Sequence, residues 1–199
     1  DHYRGYPLDE AIDMFREIKN RVDVPILTDF HESWQAKKLK DVVDVLQIPA
    51  FLCRQTDMLV EAAKTGLPVN VKKGQFISAE DTERVVGKVG DADVWLTERG
   101  NIFGYGNYIV DMRNLVIMKR YAPVIFDATH SVQQGAKGGS SGSQKEFIEP
   151  LAKAAIAVGV DGLFMEVHDN PDKALSDGTS SLHLDDLTPL LKRIKRLYD

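Results

Sequence analysis

The sequence predicts an α/β fold of the (β/α)8 (TIM) barrel class, with about six βα units present in this chain. Two observations lead there. Short apolar runs alternate with helical patterns along the whole chain at roughly 25 to 35 residues per unit, the rhythm of a parallel sheet. Polar side chains stand at or just past the end of every run: Asp29, Gln47, Lys72 with Lys73, Glu98 with Arg99, Asp127 with His130, and Glu166 with His168. An open doubly wound sheet gathers ligand groups only near its switch point, whereas a barrel mouth gathers them from all its strands.

In chain order, a helix over 8–19 precedes the first strand at 24–28, and a helix over 33–39, with Ser33 as a capping residue, follows it. The later strands are expected at 43–48, 68–72, 94–97, 123–127 and 162–167, each apolar enough to be covered on both faces. Their helices follow at 56–64, 79–88, 110–120, 146–158 and 185–197. Ser78 with Asp81 forms an N-terminal cap, and Gly66 and Gly159 fall where helices stop. Leu187, Leu190, Leu191, Ile194 and Leu197 lie on one buried stripe of the last helix. Residues 134–144 (QGAKGGSSGSQ) are a surface loop or, because they follow His130, a lid over the substrate.

The 199 residues form one barrel domain, 1–199, without a sequence repeat beyond this rhythm. The chain opens Asp1-His2-Tyr3-Arg4-Gly5 with no initiator Met. Two further units of roughly 30 residues would bring it to the usual size of the fold, so the N-terminal strands are expected to be missing. Twenty-five Lys+Arg against 30 Asp+Glu, a net charge of -5, leave no global positive field for nucleic acid. No apolar run approaches the roughly 18 residues of a spanning helix, which excludes a membrane home. A lone cysteine, Cys53, cannot form an internal disulfide, which suits a cytoplasmic setting.

Lys72, Lys73, Arg99 and Arg54 converge on the mouth as a receptor for phosphate or carboxylate, with Lys73 expected to point outward and Lys72 inward. His130, Glu166 and Asp177 form a second constellation whose chemistry suits zinc, iron or manganese, although His168 and His31 compete as ligands. Asp29 ends the first strand and orients water or substrate. Gly100, Gly104 and Gly106 mark a tight loop beside Arg99; their spacing is not a dinucleotide fingerprint.

Five segments carry a family likeness. They are QIPAFLCRQTD from Gln47, NVKKGQF from Asn70, LTERG from Leu96 with Phe103-Gly104-Tyr105, FDATHSVQ from Phe126, and DGLFMEVHDNPDKALSDGTSSL from Asp161. In order and over essentially the whole chain, these resemble the 3-deoxy-D-manno-octulosonate 8-phosphate synthases. The resemblance implies a homotetrameric (β/α)8 barrel that condenses phosphoenolpyruvate with D-arabinose 5-phosphate and water, for lipopolysaccharide biosynthesis. It implies that Lys72 and Arg99 hold phosphoenolpyruvate and that Arg54 reaches the arabinose phosphate of a neighbouring subunit. It further implies that His130, Glu166 and Asp177 ligate a divalent metal, with Asp29, Gln47 and Gln133 lining the same site. Lys72, Asp29, His130 and Asp177 are thereby the expected catalytic residues.

The family's fourth metal ligand, a cysteine at the end of the first barrel strand, is not in this chain, and Cys53 belongs to another motif. The lysine-rich segment of the second strand is absent too, although Tyr3-Arg4-Gly5 looks like the sequence just after it. Ser176-Asp177-Gly178-Thr179-Ser180 resembles the metal-dependent class, whereas the metal-free class reads C-D-G-P-S there. Two rivals remain. The related 3-deoxy-D-arabino-heptulosonate 7-phosphate synthases use erythrose 4-phosphate and share the wording of 166–178, but the segment 50–57 argues against them. A non-catalytic sugar-phosphate-binding barrel is the other.

Overall fold

A computed structural model describes residues 5–104, 106–137 and 140–197; Tyr3, Arg4 and Tyr105, named above, lie outside them. Six strands make one parallel sheet: β1 (Leu27–Asp29), β2 (Val45–Ile48), β3 (Val69–Lys72), β4 (Val94–Glu98), β5 (Val124–Asp127) and β6 (Gly162–Phe164). Their order in space is their order in the chain. With no reversal there is no switch point, so the right-handed crossovers place successive helices on one side and the sheet is an arc of a (β/α) barrel.

The helices are α1 (Leu8–Arg21), α2 (Gln35–Leu39), α3 (Thr56–Ala63), α4 (Thr82–Val89), α5 (Arg113–Met118), α6 (Ile148–Val158) and α7 (Leu184–Lys195). Helix α2 packs on α3 and α3 on α4, as do α5 on α6 and α6 on α7. Gly159 ends α6 in the left-handed conformation, φ 92°, that the sequence anticipates there. Ser78 Oγ accepts from the Asp81 amide at 3.1 Å, capping the turn that leads into α4. Ser33 does not play that part for α2: the Gln35 side chain accepts from the amides of His31 and Glu32 instead. Helix α5 starts later than expected because Asp111 accepts from the Arg113 amide and the preceding residues pair as a hairpin. No described helix is long and apolar enough to cross a membrane.

Strand alternation sorts the sheet into two unlike faces. Leu46, Ile48, Val69, Val71, Leu96, Val124 and Phe126, each 1% exposed or less, join Leu59, Val85, Leu115 and Ile148 of the helices in one cluster. Burying each such side chain is worth roughly 1.5–3 kcal/mol. The opposite face carries Gln47, Asn70, Lys72, Thr97 and Asp127, all buried. The central strands are covered on both faces as expected, but one of those faces is polar, and its groups are tolerable because they bond one another. Asn70 Nδ2 donates to Gln47 Oε1 (3.1 Å), and Thr97 Oγ1 donates to Asn70 Oδ1 (2.7 Å).

Two further expectations change. The strand at 162–167 breaks after Phe164, because the Glu166 amide turns to Thr129 Oγ1 (2.8 Å) and Val167–His168 pairs with Leu182–His183 across the mouth. Residues 134–144, expected as a surface loop or a lid, carry regular pairing: Gln133–Lys137 and Ser140–Ser143 form an antiparallel pair with a register shift, and Gln134 bridges Asn107. Residues 138 and 139 of that segment lie outside the description.

Candidate active site at the strand ends

Lys72 ends β3 and Asp127 ends β5, and their side chains meet at 2.8 Å with 7% and 0% exposure. The Lys72 ammonium also lies 3.7 Å from the centroid of the Phe164 ring. Asp127 Oδ2 is 2.7 Å from His130 Nδ1, and Asp127 Oδ1 accepts the amides of Thr129 and His130. A carboxylate can only accept, so Asp127 favours a ring proton on Nδ1, the neutral tautomer in which Nε2 keeps the lone pair a metal takes. Burial pushes the Asp127 carboxyl up, but His130 and Lys72 overwhelm that and hold it well below the usual range.

His130 Nε2 faces Glu166 Oε1 at 3.3 Å. With Asp177, these residues offer ligand atoms that all lie within 4.8 Å of one another, and they are the one such His and carboxylate group among the described residues. Asp177 is also the one non-glycine residue at positive φ (51°) among the described residues. Its carbonyl accepts from the amides of Ser180 and Ser181, both at 2.9 Å, which helps hold that conformation. Burial, the largest effect, raises the Glu166 pKa, and His130 opposes it.

Arg99 is 5% exposed, stacks over Tyr108 at 4.9 Å, and donates through Nη2 to Gln133 Oε1 at 3.3 Å. Gln133 Nε2 in turn donates to Asp177 Oδ1 at 2.6 Å. A single amide thus links the guanidinium to the His and carboxylate cluster. Arg99 has no ion pair among the described residues, and its buried Nη1 has no hydrogen-bond partner there.

The structure therefore gathers Lys72, Arg99, Gln133, His130, Glu166 and Asp177. Asp29 stands at the mouth end of β1, half exposed, 3.4 Å from His31 Nε2. Burial pushes its pKa up, yet His31 and the charge of Lys72 bring it below normal. Gln47 sits deeper, bonded to Asn70, with no hydrogen bond to the cluster among the described residues. His168 accepts from the Asn170 amide and pairs with Asp169, and His31 pairs with Asp29, so neither joins the ligand group.

The remaining two cations stand apart from the mouth. Lys73 points outward from the mouth as expected but not to solvent: its side chain is fully buried beside Glu98. Arg54 does not converge with Lys72; it is exposed and lines a separate groove with Asp81, Arg84 and Lys88. Sequence reasoning placed Asp127 at a strand end and gave it no task. The available signal was the Asp-x-x-His spacing at the end of a strand, which lets a carboxylate reach Nδ1 of the histidine three residues on.

Residues 1–198 match the DAHP synthetase I family. The protein of Geobacter metallireducens named 2-dehydro-3-deoxyphosphooctonate aldolase is 54% identical over 98% of this chain and 74% of its own length. Proteins of the same name from Desulfotalea psychrophila and Helicobacter hepaticus are 54% and 52% identical. They cover 98% and 100% of this chain and are themselves covered to 71% and 78%.

Proposed function

The chain belongs to the DAHP synthetase I family, beside its 2-dehydro-3-deoxyphosphooctonate aldolases, and on that premise we propose its reaction. Phosphoenolpyruvate, D-arabinose 5-phosphate and water become 3-deoxy-D-manno-octulosonate 8-phosphate and inorganic phosphate. The setting is the cytoplasm, and the product serves lipopolysaccharide biosynthesis. The observation that carries the reading is Arg99, a buried guanidinium with no carboxylate partner and an unbonded Nη1 among the described residues. A buried cation left in that state costs stability unless an anion completes it.

Carbon 3 of phosphoenolpyruvate must reach the sugar aldehyde, and water must add at carbon 2 as positive charge develops there. Arg99 and Lys72 hold the anionic groups of phosphoenolpyruvate, the guanidinium by a bidentate fork and the ammonium as a point charge. Gln133 keeps Arg99 at a set distance from Asp177. Arg54, in its own cationic groove, takes the phosphate of arabinose 5-phosphate bound to a neighbouring subunit of a homotetramer. Fixing both reactants can supply up to roughly 7–11 kcal/mol of the barrier. Asp29, kept ionised by His31 and Lys72, orients the water from the β1 side.

His130 Nε2, Glu166 and Asp177 fit a divalent ion: the donor set is one imidazole and two carboxylates, and Asp127 already fixes the histidine tautomer. Bound there, such an ion supplies Lewis acidity toward a carbonyl or water oxygen. Asp177, held by the Gln133 amide, is the carboxylate assigned to moving the water proton.

Phosphate release from phosphoenolpyruvate tests the reading, with arabinose 5-phosphate or erythrose 4-phosphate as acceptor, before and after chelation and with zinc, iron or manganese restored. Release with arabinose 5-phosphate that is lost on chelation and regained with metal is expected. Release indifferent to chelation removes the metal, preference for erythrose 4-phosphate replaces the acceptor, and silence with both sinks the synthase.

A further inference from the structure

Lys73 and Glu98 are the residues next to Lys72 and Arg99, and strand alternation sends them to the opposite side of the sheet. Both side chains are 0% exposed, with Lys73 Nζ 3.5 Å from Glu98 Oε1. A charge pair hidden this completely is costly and needs further hydrogen bonds to hold it. The structure supplies them for the ammonium and for one carboxylate oxygen, while Glu98 Oε2 has no hydrogen-bond partner among the described residues. Lys73 Nζ is ringed by oxygens: Asn101 Oδ1 at 2.9 Å and the carbonyls of Gly74, Ile77 and Gly100 at 3.2, 3.4 and 3.5 Å. Every hydrogen-bond partner there is an acceptor, which favours the ammonium against the burial that pushes the Lys73 pKa down. Glu98 Oε1 accepts the Gly100 amide at 2.6 Å, which suits the carboxylate.

These contacts tie two loops together. The segment after β3 (Gly74, Ile77) and the segment after β4 (Gly100, Asn101) both close on one ammonium. Asn101 Nδ2 adds a bond to the Ile77 carbonyl (2.9 Å), and the Ile102 amide bonds Gln75 O (3.1 Å). Arg99 lies between the two anchored residues, Glu98 and Gly100. Gly100 itself stands at φ +87°, and a Cβ there would come within 3.3 Å of Ile109 O. The turn that aims Arg99 is therefore over-determined from its far side.

We propose that the buried Lys73–Glu98 pair is a positioning device for phosphoenolpyruvate, holding the turn after β4 so that Arg99 and Lys72 stand at the spacing the anion needs. Neither residue touches substrate. The inference rests on the functional reading above and deepens it.

The test is Lys73→Met/Glu98→Leu, which removes both charges together and leaves no orphaned ion in the core. Melting temperature, active-site titration and steady-state kinetics with both substrates are measured on the full chain. Expected is a rise of at least tenfold in KM for phosphoenolpyruvate, with KM for arabinose 5-phosphate within twofold of wild type. Lys73→Met/Glu98→Gln, which restores an acceptor for the Gly100 amide, should recover part of that loss. A merely structural pair would lower the melting temperature and the active fraction while leaving the KM of the folded fraction unmoved, and that result overturns the proposal. So would KM values for both substrates rising together.

If the double variants do not fold, Asn101→Ala cuts the same knot at an incompletely buried residue. A rise of threefold or more in KM for phosphoenolpyruvate supports positioning, and an unchanged value overturns it. Calorimetry with phosphoenolpyruvate alone separates this inference from the reaction. A wild type that binds it without turnover fails the reaction while the same variants still report positioning through Kd. A wild type that neither binds nor turns over overturns both.

Discussion

Lys72 Nζ and His130 Nδ1 share one oxygen, Asp127 Oδ2, at 2.8 and 2.7 Å. The lysine proposed to hold the anion and the imidazole proposed to face a metal are thus both set by a single buried carboxylate. Moving either partner changes the surroundings of the other.

Lys72→Met should lose at least a hundredfold in turnover and about 3–5 kcal/mol in stability, because Asp127 remains buried with one fewer partner. Adding Asp127→Asn should recover most of the stability and none of the activity. Urea unfolding and phosphate release measure the two effects, and a near-normal rate in Lys72→Met would take this lysine out of the site.

Asp127→Asn alone frees the histidine tautomer. The affinity for a divalent ion should fall roughly 10–100-fold, the usual cost of losing a carboxylate behind a ligating imidazole. Equilibrium dialysis against zinc or manganese reads this directly, and an unchanged affinity would mean that His130 is oriented by something else.

Gly178→Ala should disturb Asp177 from a distance of one residue. A Cβ at position 178 would lie 2.2 Å from the Pro171 carbonyl oxygen, so the backbone must move, at a cost of about 1–3 kcal/mol. Metal retention should drop along with the melting temperature. If the variant melts lower but keeps its metal, the segment is a structural turn only.

Glu149 is one contributor to the acid limb of the stability curve on the helical side. Glu149 on α6 meets the Arg193 fork at 2.8 and 2.7 Å and Lys153 at 2.7 Å, and these partners hold its carboxyl down to about 2. A depressed carboxylate stabilises the fold above its unfolded pKa, near 4.5, and that contribution is lost as pH falls toward 2. Glu149→Gln should therefore be less stable than wild type above pH 5 and show a flatter acid dependence between pH 4.5 and 2. Thermal melts across that range decide it; parallel pH profiles would refute the contribution, which partial exposure and salt keep small.

Hydrophobic periodicity sufficed to locate the six sheet strands and seven α-helices, because a strand of Val69 and Val71, or a helix of Leu190 and Ile194, advertises its buried face in its own spacing. Leu191 and Leu197, expected on the same buried stripe, are exposed because that stripe is narrower than the spacing implies. The motifs were legible in the same local way, and Lys72, Arg99, His130, Glu166 and Asp177 could be named without any geometry. Which cations reach the mouth was not legible. Lys72-Lys73 and Glu98-Arg99 are only adjacent charged residues in one dimension, and the pleat of two registered neighbouring strands is what sends one of each pair to the strand-end cluster and the other to the core. Nor could spacing choose His130 over His168 and His31, since the choice depends on Asp127 and Glu166 arriving from either side. Local pattern determined the elements because their burial is a property of consecutive residues. The tertiary structure decided the site because distances of a few ångströms between residues 40 or more apart in the chain exist only once the sheet has assembled.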